Sequence, residues 1–139
     1  MKDIFTSRKK TMGKKLCLSI YGELYMIDLE MVMYLQADDH YTIAYYASGT
    51  HFMIPFGLSK VEMAIVEKLD GDKFLIRLSR KYIVNTRCIF HINAVKQEIQ
   101  LADAQGISHS LHFPKAVLRK LINMLSLRTV KQETEIFQL

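Results

Sequence analysis

Three groups of residues carry side chains that could do chemistry. Asp38, Asp39 and His40 stand together, and two carboxylates beside an imidazole could in principle hold a divalent ion. Consecutive side chains on a strand point to opposite faces, however, and no second cluster supplies the remaining ligands, so the triplet reads as a polar turn. His109 and His112, like Cys88 and His91, are three residues apart beside strand-like sequence and fall on opposite faces, which argues against zinc. Glycine-rich phosphate loops, a Gly-x-Ser-x-Gly elbow and a Cys-x-x-Cys pair are absent. The sequence therefore predicts no enzyme, no cofactor, no metal and no small-molecule substrate. The third group is Ser79-Arg80-Lys81, set between two apolar strands. An arginine there can read guanine through a bidentate fork while a lysine grips phosphate. By itself the triplet reads first as a charged turn with no partner.

The elements that must position these residues follow mostly a period of two. Residues 16–21 and 24–27 flank Gly22-Glu23 and predict a hairpin, and residues 32–37, 41–47 and 51–54 predict three more strands. Leu58, Val61, Ala64, Ile65 and Leu69 recur at spacings of three and four, an amphipathic helix with Ser59 or a neighbour as its cap and Asp70-Gly71-Asp72 as its stop. Strands return at 74–78, 82–84, 89–92, 95–101 and 110–113. Pro114 then opens a last helix whose apolar stripe is Val117, Leu118, Leu121, Ile122 and Leu125. Residues 126–139 read as a loosely ordered tail. The expectation is about nine or ten short strands and two helices.

Composition narrows the class. A chain of 139 residues, half of them apolar and 24% charged, has room for one folded domain with its own core. Cys17 and Cys88 cannot build a disulfide framework, no apolar run is long enough to span a membrane, and no signal-peptide cleavage site follows the lysine-rich start. We expect a cytoplasmic protein without membrane contact. Charge is unevenly spread along the chain. Residues 1–15 hold six bases against one acid, residues 16–72 two against nine, and residues 73–120 nine against two. A basic arm over 1–15, an acidic first half and a basic second half point to a polyanion held on one face.

Val32-Met33-Tyr34-Leu35-Gln36-Ala37-Asp38-Asp39-His40-Tyr41, then Leu58, then Phe74-Leu75-Ile76-Arg77-Leu78-Ser79-Arg80-Lys81-Tyr82-Ile83-Val84-Asn85, then Ile89 and Ile92, then Leu111-His112-Phe113-Pro114-Lys115 occur in this order. Together they resemble the LytTR DNA-binding domains of bacterial transcription regulators, over residues 16–125. The resemblance implies a mainly β, elongated fold of about ten short strands in three small antiparallel sheets with two short helices. It also implies double-stranded DNA as partner, bound through loops by two copies on repeated half-sites. Three regions approach DNA in such domains. Carried onto this chain, they are His40 with Tyr41, Ser79 with Arg80 and Lys81, and Lys115 with its neighbours. Tyr82 and Asn85 match signature positions but read as structural, since an asparagine ending a strand commonly satisfies backbone groups of the next turn.

This chain departs from the pattern in three ways. Pro114-Lys115 stands where the family often has Ser-Arg, so a hydroxyl donor is lost and a fork becomes a point charge. The first turn carries two carboxylates. Only 15 residues precede the matched region, too few for a receiver domain or membrane segment, so the chain looks like a stand-alone version. The expected function is a sequence-specific DNA-binding transcription regulator. The alternative is a protein-interaction module on the same β scaffold, with Ile136 and Phe137 of the tail as contacts for a partner regulator. A metal-dependent nuclease on Asp38, Asp39 and His40 is a third, lesser reading.

Overall fold

Alternation of apolar and polar residues sets the strands, and two runs of helical period set the helices. The computed structural model describes residues 14–137, with side chains through Leu127. Among these residues the order is β1 (Lys15–Ile20), β2 (Glu23–Asp28), β3 (Val32–Asp38), β4 (Tyr41–Tyr46), β5 (His51–Ile54), α1 (Leu58–Leu69), β6 (Leu75–Arg77) and β7 (Tyr82–Asn85). A 3₁₀ turn (Thr86–Cys88), β8 (Ile89–Asn93), β9 (Glu98–Ala102), β10 (Ser108–His112) and α2 (Lys115–Phe137) complete it. The strands form three antiparallel sheets: a β1-β2 hairpin, a five-stranded sheet in the order β5-β4-β3-β7-β6, and a three-stranded sheet β10-β9-β8. The mainly β architecture read from the sequence is the observed one.

The five-stranded sheet has a core on each face. Leu16, Ile27, Leu35, Ile54, Val61 and Ile83 belong to one core, built with the β1-β2 hairpin and α1. Met33, Val84, Ile99, Leu101, Leu111 and Leu118 belong to the other, built with β8–β10 and the start of α2. Ile83 and Val84 face opposite ways because neighbouring strand side chains alternate, whereas Met33 and Leu35, two residues apart, do so because the register of β3 shifts between Val32 and Tyr34. A strand covered on both faces has no solvent side to mark with polar residues, which is why β3 and β7 read as nearly unbroken apolar runs. Each fully buried aliphatic side chain there contributes about 1.5–3 kcal/mol.

Several boundaries differ from those expected. The first hairpin turns at Tyr21-Gly22, not Gly22-Glu23: Ile20 pairs with Glu23, and both turn residues have positive φ, 49° and 78°. That is the backbone twist a two-residue turn needs to match its strands, and glycine adopts it without strain. Val95 lies in the β8–β9 turn and not in a strand, since Gln97 takes positive φ and its N–H bonds the Ala94 carbonyl. Gly57, not Ser59, caps α1, and it does so without a side-chain bond. The last helix runs on to Phe137 and is neither short nor followed by a loose tail from residue 126. Residues 126–137 contain neither Gly nor Pro and are rich in Leu, Arg, Lys, Gln and Glu, so nothing local ends the helix. Of the expected basic arm, residues 1–13 lie outside the described residues, as do the side chains of Ile136 and Phe137. Lys15 belongs to β1, and Lys14 pairs with Asp72 at 3.2 Å.

Asn85 is buried. Its Nδ2 donates to the Val32 carbonyl at 2.8 Å and its Oδ1 accepts from the Arg87 N–H at 2.9 Å, tying the end of β7 to the start of β3 and shaping the 3₁₀ turn. Alanine would strand both backbone groups, so Asn85→Ala is expected to lower the unfolding free energy by about 2–4 kcal/mol. Urea denaturation followed by circular dichroism measures this. A loss under about 0.5 kcal/mol, the net worth of a weak hydrogen bond, would contradict the role.

Candidate nucleic-acid interface

Strand pairing gathers the sequence-predicted residues at one end of the five-stranded sheet. Gln36 of β3 lies opposite Tyr82 of β7, and the Ala37 N–H donates to the Lys81 carbonyl at 2.8 Å. The Asp39-His40 turn, which joins β3 to β4, therefore sits beside the β6–β7 turn carrying Ser79, Arg80 and Lys81. Asp39 takes φ 56°, a left-handed conformation that aspartate tolerates better than most residues. Strand β5 runs to the same end, where Ile54 faces Thr42, and delivers the chain into α1. A Cβ on Gly57 would lie 3.9 Å from the His40 carbonyl oxygen. The result is an open concavity of roughly 420 Å³ lined by Asp39, His40, Gly57, Ser59, Arg77 and Arg80 among others.

The chemistry of this end is cationic and exposed. Arg80, Lys81 and Lys115 are solvent-exposed, and Tyr41 is 45% exposed. The His40 side chain is 90% exposed, its Nε2 lying 3.6 Å from the Asp39 carboxylate. Ser79 is committed to the turn itself: its Oγ accepts from the Lys81 N–H at 3.1 Å and the Tyr82 N–H at 3.2 Å. This hydroxyl bond to the backbone two residues on is how serine shapes a turn.

Lys115 joins the group through an aromatic contact. The Phe113 ring meets Tyr82 edge-on with centroids 5.6 Å apart, so the β10–α2 junction is packed against the residue that follows Lys81. From Tyr82 the row continues across the sheet to Tyr34, 6.0 Å away, and then to Tyr45, stacked on Tyr34 at 4.6 Å. Burial, with Tyr45 and Tyr82 close by, pushes the Tyr34 hydroxyl up to about 12, so it stays neutral over the whole working range. These rings pack on one another.

Two cationic side chains near this end were not proposed as site residues from the sequence. Lys60 is exposed in the first turn of α1, its Nζ held 4.7 Å over the Phe56 ring. Arg77 is the larger omission. Its Nε donates to the Ser79 carbonyl at 2.9 Å and its Nη2 to the Arg80 carbonyl at 2.8 Å, while Nη1 donates to Ser59 Oγ at 3.0 Å and Glu62 Oε1 at 3.1 Å. Its signal in the sequence was a place in the Phe74–Asn85 signature, three residues before Arg80. The partners on α1 lie 15 and 18 residues away and could not be read locally.

Residues 22–126, most of the chain, match the family model of the LytTr DNA-binding domain. The chain belongs to the LytTR family. LytTR domains are DNA-binding domains of transcription regulators, and the family is not an enzymatic one. Among solved structures, this LytTR domain is similar to the LytTr DNA-binding domain of a protein described as a methyl-accepting/DNA response regulator from Bacillus cereus. The two share 19% sequence identity and a TM-score of 0.53, over 81% of this chain and 96% of that one, a likeness of fold. No curated protein sequence matches the chain. No helix among the described residues is long and apolar enough to cross a membrane.

Proposed function

We propose that this LytTR domain is a transcription regulator that binds double-stranded DNA sequence-specifically through the β3–β4 turn, the β6–β7 turn and the β10–α2 junction. The observation that carries the reading is the convergence of His40, Arg80 and Lys81 on one open end of the sheet, with Arg80 and Lys81 free of acidic partners among the described residues. Arg80 reads a base edge, Lys81 and Lys115 grip phosphates, and His40 and Tyr41 touch bases or the sugar-phosphate backbone. Ser79 shapes the loop more than it reads. Two copies occupy repeated half-sites and bend the duplex between them. DNA as the partner places the work in the cytoplasm.

Selection from a random double-stranded pool with the purified chain at near-physiological salt, read by sequencing, tests this. The expected result is an enriched motif present as a spaced repeat. A pool that stays random over successive rounds with folded protein would overturn the reading.

A further inference from the structure

We infer that Arg77 is a positioning residue for DNA readout, a clamp that fixes the β6–β7 loop against α1 so that Arg80 reaches the duplex in one geometry. This rests on the proposed function. The guanidinium makes four hydrogen bonds in two directions. Toward the loop, Nε and Nη2 hold the carbonyls of Ser79 and Arg80, at 2.9 and 2.8 Å. Toward the helix, Nη1 holds Ser59 Oγ and Glu62 Oε1, at 3.0 and 3.1 Å. A planar group with donors fanned in fixed directions can span two loop carbonyls and two helix side chains at once, and a lysine ammonium cannot.

The loop needs such a clamp. Residues 78–81 sit between a three-residue strand at the edge of the sheet and a four-residue strand. Their remaining ties are the two bonds to Ser79 Oγ, the Leu78 N–H to the Tyr82 carbonyl at 3.0 Å, and the Lys81 carbonyl to the Ala37 N–H. None of these holds the Ser79 or Arg80 carbonyl. Arg77 is therefore the donor that fixes the orientation of those two peptide units.

Arg77 itself is not placed to read DNA. Its side chain is 21% exposed, its charge is paired with Glu62 at 3.1 Å, and all its nitrogens are engaged. It acts through Arg80. Glu62 and Ser59 in turn orient Arg77, which makes the first turns of α1 part of the readout apparatus although they lie well before the loop in sequence.

The test uses the whole chain with Arg77→Lys, which keeps the charge and loses the fork, and Glu62→Ala, which removes one of the two helix anchors and leaves Ser59 in place. Affinity for the selected duplex and for a random duplex is read by fluorescence anisotropy, and backbone amide exchange by nuclear magnetic resonance, with no DNA present. For Arg77→Lys, preference for the selected over the random duplex is expected to fall about tenfold, random binding to stay unchanged and the amides of Lys81 and Tyr82 to exchange faster. Glu62→Ala is expected to move in the same direction by less. Unchanged exchange and unchanged preference in Arg77→Lys would overturn the clamp, and so would equal losses on both duplexes, which would make Arg77 a phosphate contact. A parent chain with no preference for any duplex, beside faster exchange in Arg77→Lys, would leave the clamp standing as loop mechanics and remove the DNA reading from it.

Discussion

Arg80→Ala is expected to weaken binding to the selected duplex by about 1–3 kcal/mol, to relax specificity at one base position and to leave the urea midpoint unchanged. Arg80 is exposed, and its backbone carbonyl, which Arg77 holds, survives the substitution. The loss therefore reports the guanidinium and not the loop. Lys81→Ala, one residue along, is expected to weaken selected and random duplexes alike, because an ammonium on a phosphate carries no sequence information. Equal, parallel losses for both variants on cognate and random DNA would contradict this division of roles. The comparison is informative because the two residues share a turn, so any general damage to the loop lowers both in step.

Salt should have a still larger effect. If about five or six phosphates are neutralised, log affinity falls against log salt with a slope near −5, and a fourfold rise in salt lowers affinity about 10³-fold. The exposed cations available for this are Lys60, Arg80, Lys81, Lys115 and Arg119, with Lys120 on the same helix. Removing Lys81 or Lys115 should each reduce the slope by about one. Anisotropy titrations across a salt series check both numbers, and a flat response would remove electrostatic phosphate contact from the mechanism. Asp38 and Asp39, exposed at the same end, set a limit on the slope, and replacing them with asparagine should tighten binding to any duplex.

Much of this domain was legible because its elements obey short-range rules. The strand periodicity of Val32–Asp38, the three-and-four spacing of Leu58–Leu69 and the turn chemistry of Asp39 all follow from local sterics and show in the order of residue types. The bracketed triplet Ser79-Arg80-Lys81 was legible for the same reason. Two cations and a hydroxyl in a turn between apolar strands are conspicuous. Where the reading failed, the competing energies were nearly balanced. Tyr21 entered a positive-φ turn against its preference because hairpin twist required it, and Val95 left the strand because the β8–β9 turn needed four residues. The end of α2 was misplaced because polar residues 126–137 lack an apolar stripe but also lack any breaker.

The sequence by itself determined the element types, the family signature, the cationic triplet and the structural role of Asn85 in the following turn, all of which depend on neighbours a few residues apart or on a pattern long enough to identify. Only the tertiary structure decided which turns share an end. That depends on the strand order β5-β4-β3-β7-β6, which pairs Gln36 with Tyr82 and brings His40 beside Arg80. It also decided that Arg77 faces inward to Glu62 and the loop carbonyls and does not face outward like Arg80. Two arginines three residues apart have the same chemistry. Burial and the distance to a carboxylate on α1, set by the closing of the core between that helix and the sheet, separate the arginine that ties the loop to the helix from the one we propose to read DNA.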